Sequence, residues 1–257
     1  MLAIFKREFS MYFKTASGYI AFAIFAFLSG YIFVSQYASG KVNIASEITN
    51  LRSFFVVLIP IVTMGLFSED KKRGTEVLYY TTPTNIASVV IGKFLSAMAL
   101  FGIMFINVLV QMFITVCSGG VIDAGTMGAI VVYFFLTALF VALGLFASAV
   151  TDSQIIAAIF SFLIILLIQL TSTISALISS TFNSFLSAKV FNIDPEKLSE
   201  FCSNVEKFIN WFDPLSKTKD FRYGVFSISP LFYCACIAGL FLFLTYQVLE
   251  KKRWTQS

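Results

Sequence analysis

The most concentrated group of charged and aromatic side chains in the interior of the sequence is "SEDKKRGTEVLYYTTP", Ser68–Pro83. Its carboxylates and cations can form ion pairs, and its leucine and tyrosines can present an apolar surface. Apolar surface bordered by charge usually marks the docking site of a partner. We therefore predict that this segment binds a second protein, through Glu69, Lys72, Arg73, Gly74, Thr75, Glu76, Leu78, Tyr79, Tyr80 and Pro83.

The local sequence predicts how this segment is positioned. Gly74 permits a turn, a short helix can begin at Thr75, and Pro83 ends it. Thr84 or Asn85 can then cap a new helix that continues into an apolar run. Residues 69–85 are thus expected to form a helix–turn–helix across one face of a membrane.

The composition is that of a membrane protein, with 58% hydrophobic and 12% charged residues against roughly 45–50% and about 25% in soluble domains. A helix needs about 20 apolar residues to cross a bilayer. The second candidate run is short, and we expect it to extend toward Leu51, with Arg52 at the interface. The six runs are Gly18–Tyr37, Phe54–Phe67, Ile91–Cys117, Met127–Val150, Ile155–Ala176 and Ser229–Leu249.

The fold class is therefore an all-α integral membrane protein with six transmembrane helices. Basic residues cluster before the first run, in Lys71–Arg73 and at Lys251–Arg253, which places both termini and the 69–85 region in the cytoplasm. Apolar residues recur at helical spacing before the first run, so residues 1–16 are expected to form an interfacial amphipathic helix. This helix either anchors the topology or also contacts a cytoplasmic partner.

Residues 177–228 form the longest connection between runs and are expected to lie outside the cell. Asp194-Pro195 is typical of a helix start, and apolar residues follow it at helical spacing until Asp213-Pro214. The segment is thus predicted to contain short extracytoplasmic helices. Cys117 and Cys202 both fall on this side, where they either form a disulfide or remain separate small apolar side chains.

Polar residues within the predicted spans have two interpretations. They can line an exit route at an interface between two subunits, or they can form interhelical hydrogen bonds worth about 0.6–2 kcal/mol each. The predicted span interiors offer nothing that resembles a proton relay or an ion site, which disfavours a secondary transporter. These residues are Thr63, Asn107, Gln111, Thr115, Gln169, Thr171 and Ser172.

Several kinds of chemistry are disfavoured. The chain has no histidine, which removes the commonest metal ligand and general base. Its Gly92-Lys93 pair is followed by Phe94 and lacks a glycine five residues earlier, so it is not a phosphate-binding loop. A membrane enzyme such as a lipid transferase would need an acidic or histidine cluster that the sequence does not show. We predict neither a catalytic residue nor a metal site.

The stretch "SEDKKRGTEVLYYTTPTNIASVVIGKFLSA" resembles the signature of type-2 ABC (ABC-2) exporter permeases. In that family an acidic-basic run, Gly-Thr with a glutamate, "TTP" and a "GKFL" helix form the coupling helix that docks into the ATPase. Here Glu76 follows Thr75 directly, whereas the family often has one residue between them. The stretches "MLAIFKREFSMYFKTASGYIAFAIF" and "GLFASAVTDSQIIAAIFSFLI" resemble the gliding-motility branch, with nitrous-oxide-accessory permeases as relatives.

The resemblance implies a single transmembrane domain over residues 1–257 in the inner membrane of a prokaryote. It implies two copies of a separate ATPase, which would bind ATP and Mg²⁺, and a second permease copy, identical or similar. This chain would bind no cofactor itself; its other partners would be membrane lipid and a possible periplasmic protein, not nucleic acid. The leading hypothesis is an exporter permease, and the alternative is a non-transporting subunit that transmits ATP-driven motion to a periplasmic or motility complex.

Overall fold

The computed structural model describes residues 1–40, 42–76, 85–187, 214–218, 221 and 227–256, and for 172–187, 216 and 254–256 it describes the backbone alone. Every regular element in these ranges is a helix. The helices are α1 (Leu2–Tyr12), α2 (Ala16–Ala38), α3 (Ile44–Leu51), α4 (Phe55–Thr63), α5 (Gly65–Lys72), α6 (Ile86–Cys117), α7 (Ala124–Val150), α8 (Gln154–Ser187), α9 (Pro214–Lys217) and α10 (Ile228–Gln256).

Six helical segments in the described part of the chain are long and apolar enough to span a membrane, which confirms the predicted fold class. They are α2, the run from α3 to α5, α6, α7, the first part of α8, and α10. We refer to the run Ile44–Lys72 as the second span.

The second span begins earlier than the sequence predicted. Asn43 caps α3 by accepting a hydrogen bond from the Ser46 backbone nitrogen at 2.9 Å. A 3₁₀ turn, Arg52–Phe54, then joins α3 to α4. The sequence predicted that the run Phe54–Phe67 extends toward Leu51 with Arg52 at the interface, but the span begins at Ile44, and Glu47 within it is completely buried in the bundle.

The centre of the bundle is α7, which packs against α10, α8, α6 and all three helices of the second span. Aromatic rings fill the contact between these helices. The ring of Phe55 lies 5.3 Å from that of Tyr133, 6.0 Å from that of Phe101 and 6.2 Å from that of Phe140. Rings at these separations are within the range of favourable aromatic contacts. The bundle is therefore organised around α7 and α4.

The peripheral helices have a different character. Only 22% of the apolar window of α2 is buried, and 17% of that of α8, against 67% for α7. Long apolar helices that leave this much surface exposed are typical of lipid-facing positions. The exposed side chains include Phe27, Tyr31, Leu167 and Phe243.

Several predicted features fall partly on residues that are not described. Residues 77–84 of the predicted coupling-helix region 69–85 lie outside the described part, as do Cys202 and the helix predicted after Asp194. In the connection between α8 and α10, Pro214–Lys217 forms one short helix. The α8 helix itself continues to Ser187, beyond the predicted limit at Ala176.

Candidate functional site

A buried lysine lies at the base of α6, directly after the 69–85 region. Asn85 caps α6 by accepting a hydrogen bond from the Ala87 backbone nitrogen at 3.0 Å. Two turns later Lys93 has no exposed surface. Its Nζ donates to Asp70 Oδ2 at 2.6 Å and to the carbonyl of Leu66, and it lies 3.1 Å from Glu8 Oε1. A lysine in this position is stable only because two carboxylates and a carbonyl replace its hydration.

The network extends to α1 and to the start of the 69–85 region. Arg7 Nη2 lies 2.6 Å from Glu8 Oε1 and 3.9 Å from Asp70 Oδ1. The hydroxyl of Thr75 donates to Asp70 Oδ1 at 3.1 Å. The cations Arg7 and Lys93 thus balance the carboxylates of Glu8 and Asp70. The Asp70–Lys93 pair also joins α5 to α6, the two helices on either side of the helix predicted to begin at Thr75.

The packing of α1 against α6 brings Glu8 to this position. An added Cβ on Gly92 would lie 3.2 Å from the Ile4 side chain, so the helices approach closely there. The phenol of Tyr12 donates to the Val62 carbonyl at 3.1 Å. Burial, and to a lesser extent the charge of Glu8, raises the pKa of Tyr12 above its usual range, so this donor keeps its proton.

A second polar contact joins α5 to the end of α7. Lys71 Nζ donates to the Ala149 carbonyl at 2.5 Å and to the Thr151 carbonyl at 2.8 Å, and lies 3.3 Å from Asp152 Oδ1. A cation at a helix C-terminus interacts favourably with the helix dipole. Lys252 of α10 lies 3.5 Å from the same Asp152 oxygen. The hydrogen bond and charge of Lys71 hold the pKa of Asp152 below its usual value.

The second span is interrupted at Met64, between α4 and α5, and Ser148 of α7 occupies the interruption. The backbone nitrogens of Phe67 and Ser68 donate to Ser148 Oγ at 3.0 and 3.1 Å. The Ser148 hydroxyl donates to the Met64 carbonyl at 3.0 Å. One side chain thereby provides an acceptor for two backbone nitrogens and, beside the Ser68 hydroxyl, a second donor for the Met64 carbonyl.

A cavity of about 220 Å³ opens beside this break, between α1, the second span and the start of α8. Three carboxylates line it, those of Glu8, Glu69 and Asp70, together with Tyr12 and Gln154. Buried carboxylates require cations or donors, and in the described residues Arg7, Lys93 and Arg73 supply them. These carboxylates are not arranged to hold a metal ion, and no other group of three or more histidine, cysteine, aspartate or glutamate residues in the described part of the chain is so arranged.

Comparison with protein families assigns the chain. A family model described as "ABC-2 family transporter protein" matches residues 2–249. The chain belongs to this ABC-2 transporter family. No curated protein matches it significantly.

As a member of the ABC-2 family, the chain is a membrane component of a transport system, and ABC-2 permeases typically work with an ATPase subunit. The described part of the predicted docking segment is a continuation of α5. Arg73 Nη2 lies 2.5 Å from Glu69 Oε1, Lys72 is exposed, and Gly74 adopts a φ of 69°, a conformation that favours glycine. Glu76 is half-buried, while Leu78, Tyr79, Tyr80 and Pro83 lie outside the described residues.

The polar residues predicted to line a pathway in this ABC-2 protein do not form one group. Thr63 faces Gly144, and its hydroxyl donates to the Ile59 carbonyl at 2.8 Å. Gln111 and Thr115 are buried on one face of α6, with Asn107 one turn earlier and half-buried.

The remaining members of the set lie on α8. Gln169 Nε2 donates to the Arg52 carbonyl at 3.2 Å. Thr171 donates to the Leu167 carbonyl at 2.9 Å, and the side chain of Ser172 is not described. The described contacts of Thr63, Gln111 and Gln169 are therefore to different parts of the bundle.

Sequence reasoning did not identify the Glu8–Asp70–Lys93 cluster. One signal was available, because Lys93 interrupts the apolar run "VVIGKFLSAM". A lysine in such a run usually pairs with a carboxylate or a carbonyl. The identity of the partners could not be read, because Glu8 and Asp70 come from separate helices.

Proposed function

We propose that this chain is the permease subunit of an ATP-driven exporter in the inner membrane of a prokaryote, with both termini in the cytoplasm. On this proposal the 69–85 region docks into a separate ATPase, present in two copies that bind ATP and Mg²⁺. A second permease, identical or similar, completes the transporter. The resemblance to the gliding-motility branch belongs to the same proposal.

The observation that carries the proposal is the Asp70–Lys93 ion pair. It joins the start of the 69–85 region to the helix that follows the region, at an Nζ–Oδ2 distance of 2.6 Å. Since Glu8 of α1 also contacts Lys93, a displacement of the segment would move α1, α5 and α6 together. ATP-driven closure of the ATPases would thereby change the arrangement of the bundle.

Two further contacts support transmission through the second span. Lys71 links α5 to the last carbonyls of α7, and Ser148 links α7 to the break at Met64. A segment attached to the bundle at several points can transmit force, whereas a loosely tethered loop cannot.

The direct test is co-purification of the detergent-solubilised chain with the ATPase encoded beside it, followed by an ATPase assay. We expect a stable complex, and we expect the double variant Glu76→Ala/Tyr79→Ala to lose coupling while still inserting into the membrane. The matched control is Asp123→Asn/Tyr31→Ala, which removes an exposed acid and an exposed tyrosine elsewhere. Failure of the ATPase to associate would overturn the proposal.

A further inference from the structure

A second buried carboxyl group lies toward the opposite end of the bundle from α1. Glu47 of α3 has no exposed surface. Its Oε1 lies 2.9 Å from Ser29 Oγ of α2, and the same hydroxyl lies 3.0 Å from Gln111 Oε1 of α6. The second carboxyl oxygen, Oε2, is buried and has no hydrogen-bond partner among the described residues. Three helices thus meet at a carboxyl group that is only half satisfied.

The surroundings of Glu47 offer no described counter-ion. The ionisable groups on the elements packed against α3 are Arg52, Tyr133 and the tyrosines of α2. Arg52 Nη1 lies 3.4 Å from Thr218 Oγ1, and Tyr133 packs against the ring of Phe105. No described lysine or arginine forms an ion pair with Glu47. The α2 tyrosines are Tyr19, Tyr31 and Tyr37, each more than half exposed.

Burial of an ionised Glu47 would be costly. Desolvation of an unpaired carboxylate is a large cost even after relaxation of the protein. Glu47 lies in the first turn of α3, where the helix dipole favours a negative charge, but this effect is smaller than the cost of desolvation. The dipole therefore offsets only part of the desolvation cost.

The hydrogen-bond geometry agrees with a neutral acid. Ser29 has one hydroxyl proton, yet both atoms that it contacts are acceptors when Glu47 is ionised. A proton on Glu47 gives a continuous chain, in which Glu47 donates to Ser29 and Ser29 donates to Gln111. If the Gln111 side-chain amide were rotated so that its nitrogen faced Ser29, Ser29 could accept from Gln111 and donate to an ionised Glu47. The carboxylate would then carry a full charge while its Oε2 atom still had no hydrogen-bond partner among the described residues.

We infer that Glu47, held by Ser29 and Gln111, is a proton-binding site within the bundle. The ligand is a proton, which needs no cavity and therefore fits a carboxyl group without exposed surface. In the transport cycle, and here the inference rests on the proposed function, a movement that separates α2 from α3 would expose Glu47 to water. The carboxyl group would then release its proton to that water and recover one when the helices close again.

Infrared difference spectroscopy of the purified full-length chain tests the inference without ATPase or substrate. The wild type minus Glu47→Gln spectrum at neutral pH is expected to contain the carbonyl band of a protonated carboxylic acid, shifted to lower frequency in D₂O. Asp123→Asn, which removes an exposed carboxylate, serves as the control and is expected to show only the loss of carboxylate bands.

A second variant keeps the test decisive if Glu47→Gln folds poorly. Ser29→Ala removes the acceptor of the Glu47 proton, so we expect the acid band to shift in frequency and to remain present. Loss of carboxylate bands alone in Glu47→Gln, or absence of any acid band that responds to Ser29→Ala, would overturn the inference. Either result would leave the proposed ATPase coupling unaffected, because neither measurement involves the ATPase.

Discussion

Lys93 Nζ lies 2.6 Å from Asp70 Oδ2, although Asp70 lies at the start of the segment predicted to contact another protein and Lys93 lies in the helix that follows it. The pair is buried, and Glu8 of α1 shares the same lysine at 3.1 Å. A membrane protein that buries charge at this position incurs a desolvation cost. We attribute the arrangement to the need for a fixed attachment of the segment to three helices.

Replacement of Lys93 by methionine is expected to destabilise the bundle by about 3–5 kcal/mol, because Asp70 would remain buried without its main cation and Glu8 would keep only Arg7. The measurement is thermal unfolding of the detergent-solubilised chain. Lys72→Met, which removes an exposed lysine from the adjacent helix, is the control and should have little effect. Adding Asp70→Asn to Lys93→Met should cost less than the sum of the single changes; additive losses would contradict the network.

Replacement of Ser148 by alanine is expected to lower stability by about 1–3 kcal/mol, because the Phe67 and Ser68 nitrogens lose this acceptor and the Met64 carbonyl keeps only the Ser68 hydroxyl. Ser161→Ala provides the comparison, since the buried Ser161 hydroxyl bonds only to carbonyls of its own helix, at 2.9 and 3.0 Å. Unfolding midpoints in denaturant would separate the two variants. Equal midpoints would show that the break does not depend on Ser148.

The sequence predicted the helices because long apolar runs and caps are local signals. Asn85, one of the two predicted caps, caps α6, and six helical segments in the described part of the chain are long and apolar enough to span a membrane. The second run was predicted to extend only toward Leu51, whereas the span begins at Ile44 and contains the buried Glu47. Its burial depends on Ser29 and Gln111, which are distant in the sequence, and no local pattern encodes that contact.

The candidate site was predictable only in part for the same reason. The charge of the 69–85 region can be read directly from the sequence. Which of Lys71 and Lys72 packs against the bundle and which is exposed cannot be read from it. The Lys71 side chain is 6% exposed and faces the end of α7, whereas Lys72 is exposed. Adjacent lysines on a helix point in different directions, and which direction is buried depends on how α5 packs against α7.

Gly144→Ala is expected to destabilise the contact between α7 and α4. An added Cβ would lie 2.2 Å from Thr63 Oγ1 and 2.9 Å from Thr63 Cβ, so one helix must shift. Overpacking of this kind costs about 1–3 kcal/mol. Gly239→Ala in α10 is the matched control, because its Cβ would meet no atom within 4 Å. Thermal unfolding should distinguish the two variants. Equal stability would mean that α7 and α4 are farther apart at this position than the structure shows.

The contribution of Asp152 to stability should depend on pH in a defined direction. Lys71 lowers the pKa of Asp152 in the folded chain, so the stabilisation is present above the unfolded-state pKa of about 3.9 and is lost as the pH falls through the lower folded-state value. Wild type and Asp152→Asn should therefore differ by a constant amount between about pH 5 and about pH 7 and converge under strong acid. Unfolding midpoints across this range test it; a difference that disappears near neutral pH would contradict the assignment.

Lys71 and Lys72 should have separable effects on the complex with the ATPase. Lys72→Glu reverses an exposed charge on the predicted docking surface, so we expect weaker co-purification of the ATPase and unchanged stability of the chain alone. Lys71→Met removes donors from the Ala149 and Thr151 carbonyls, so we expect lower stability of the chain alone. Pull-down yield and thermal unfolding, measured on both variants, give the comparison. If Lys72→Glu retains full ATPase binding, the docking surface does not include Lys72; if Lys71→Met leaves the unfolding midpoint unchanged, the contact between α5 and α7 is not stabilising.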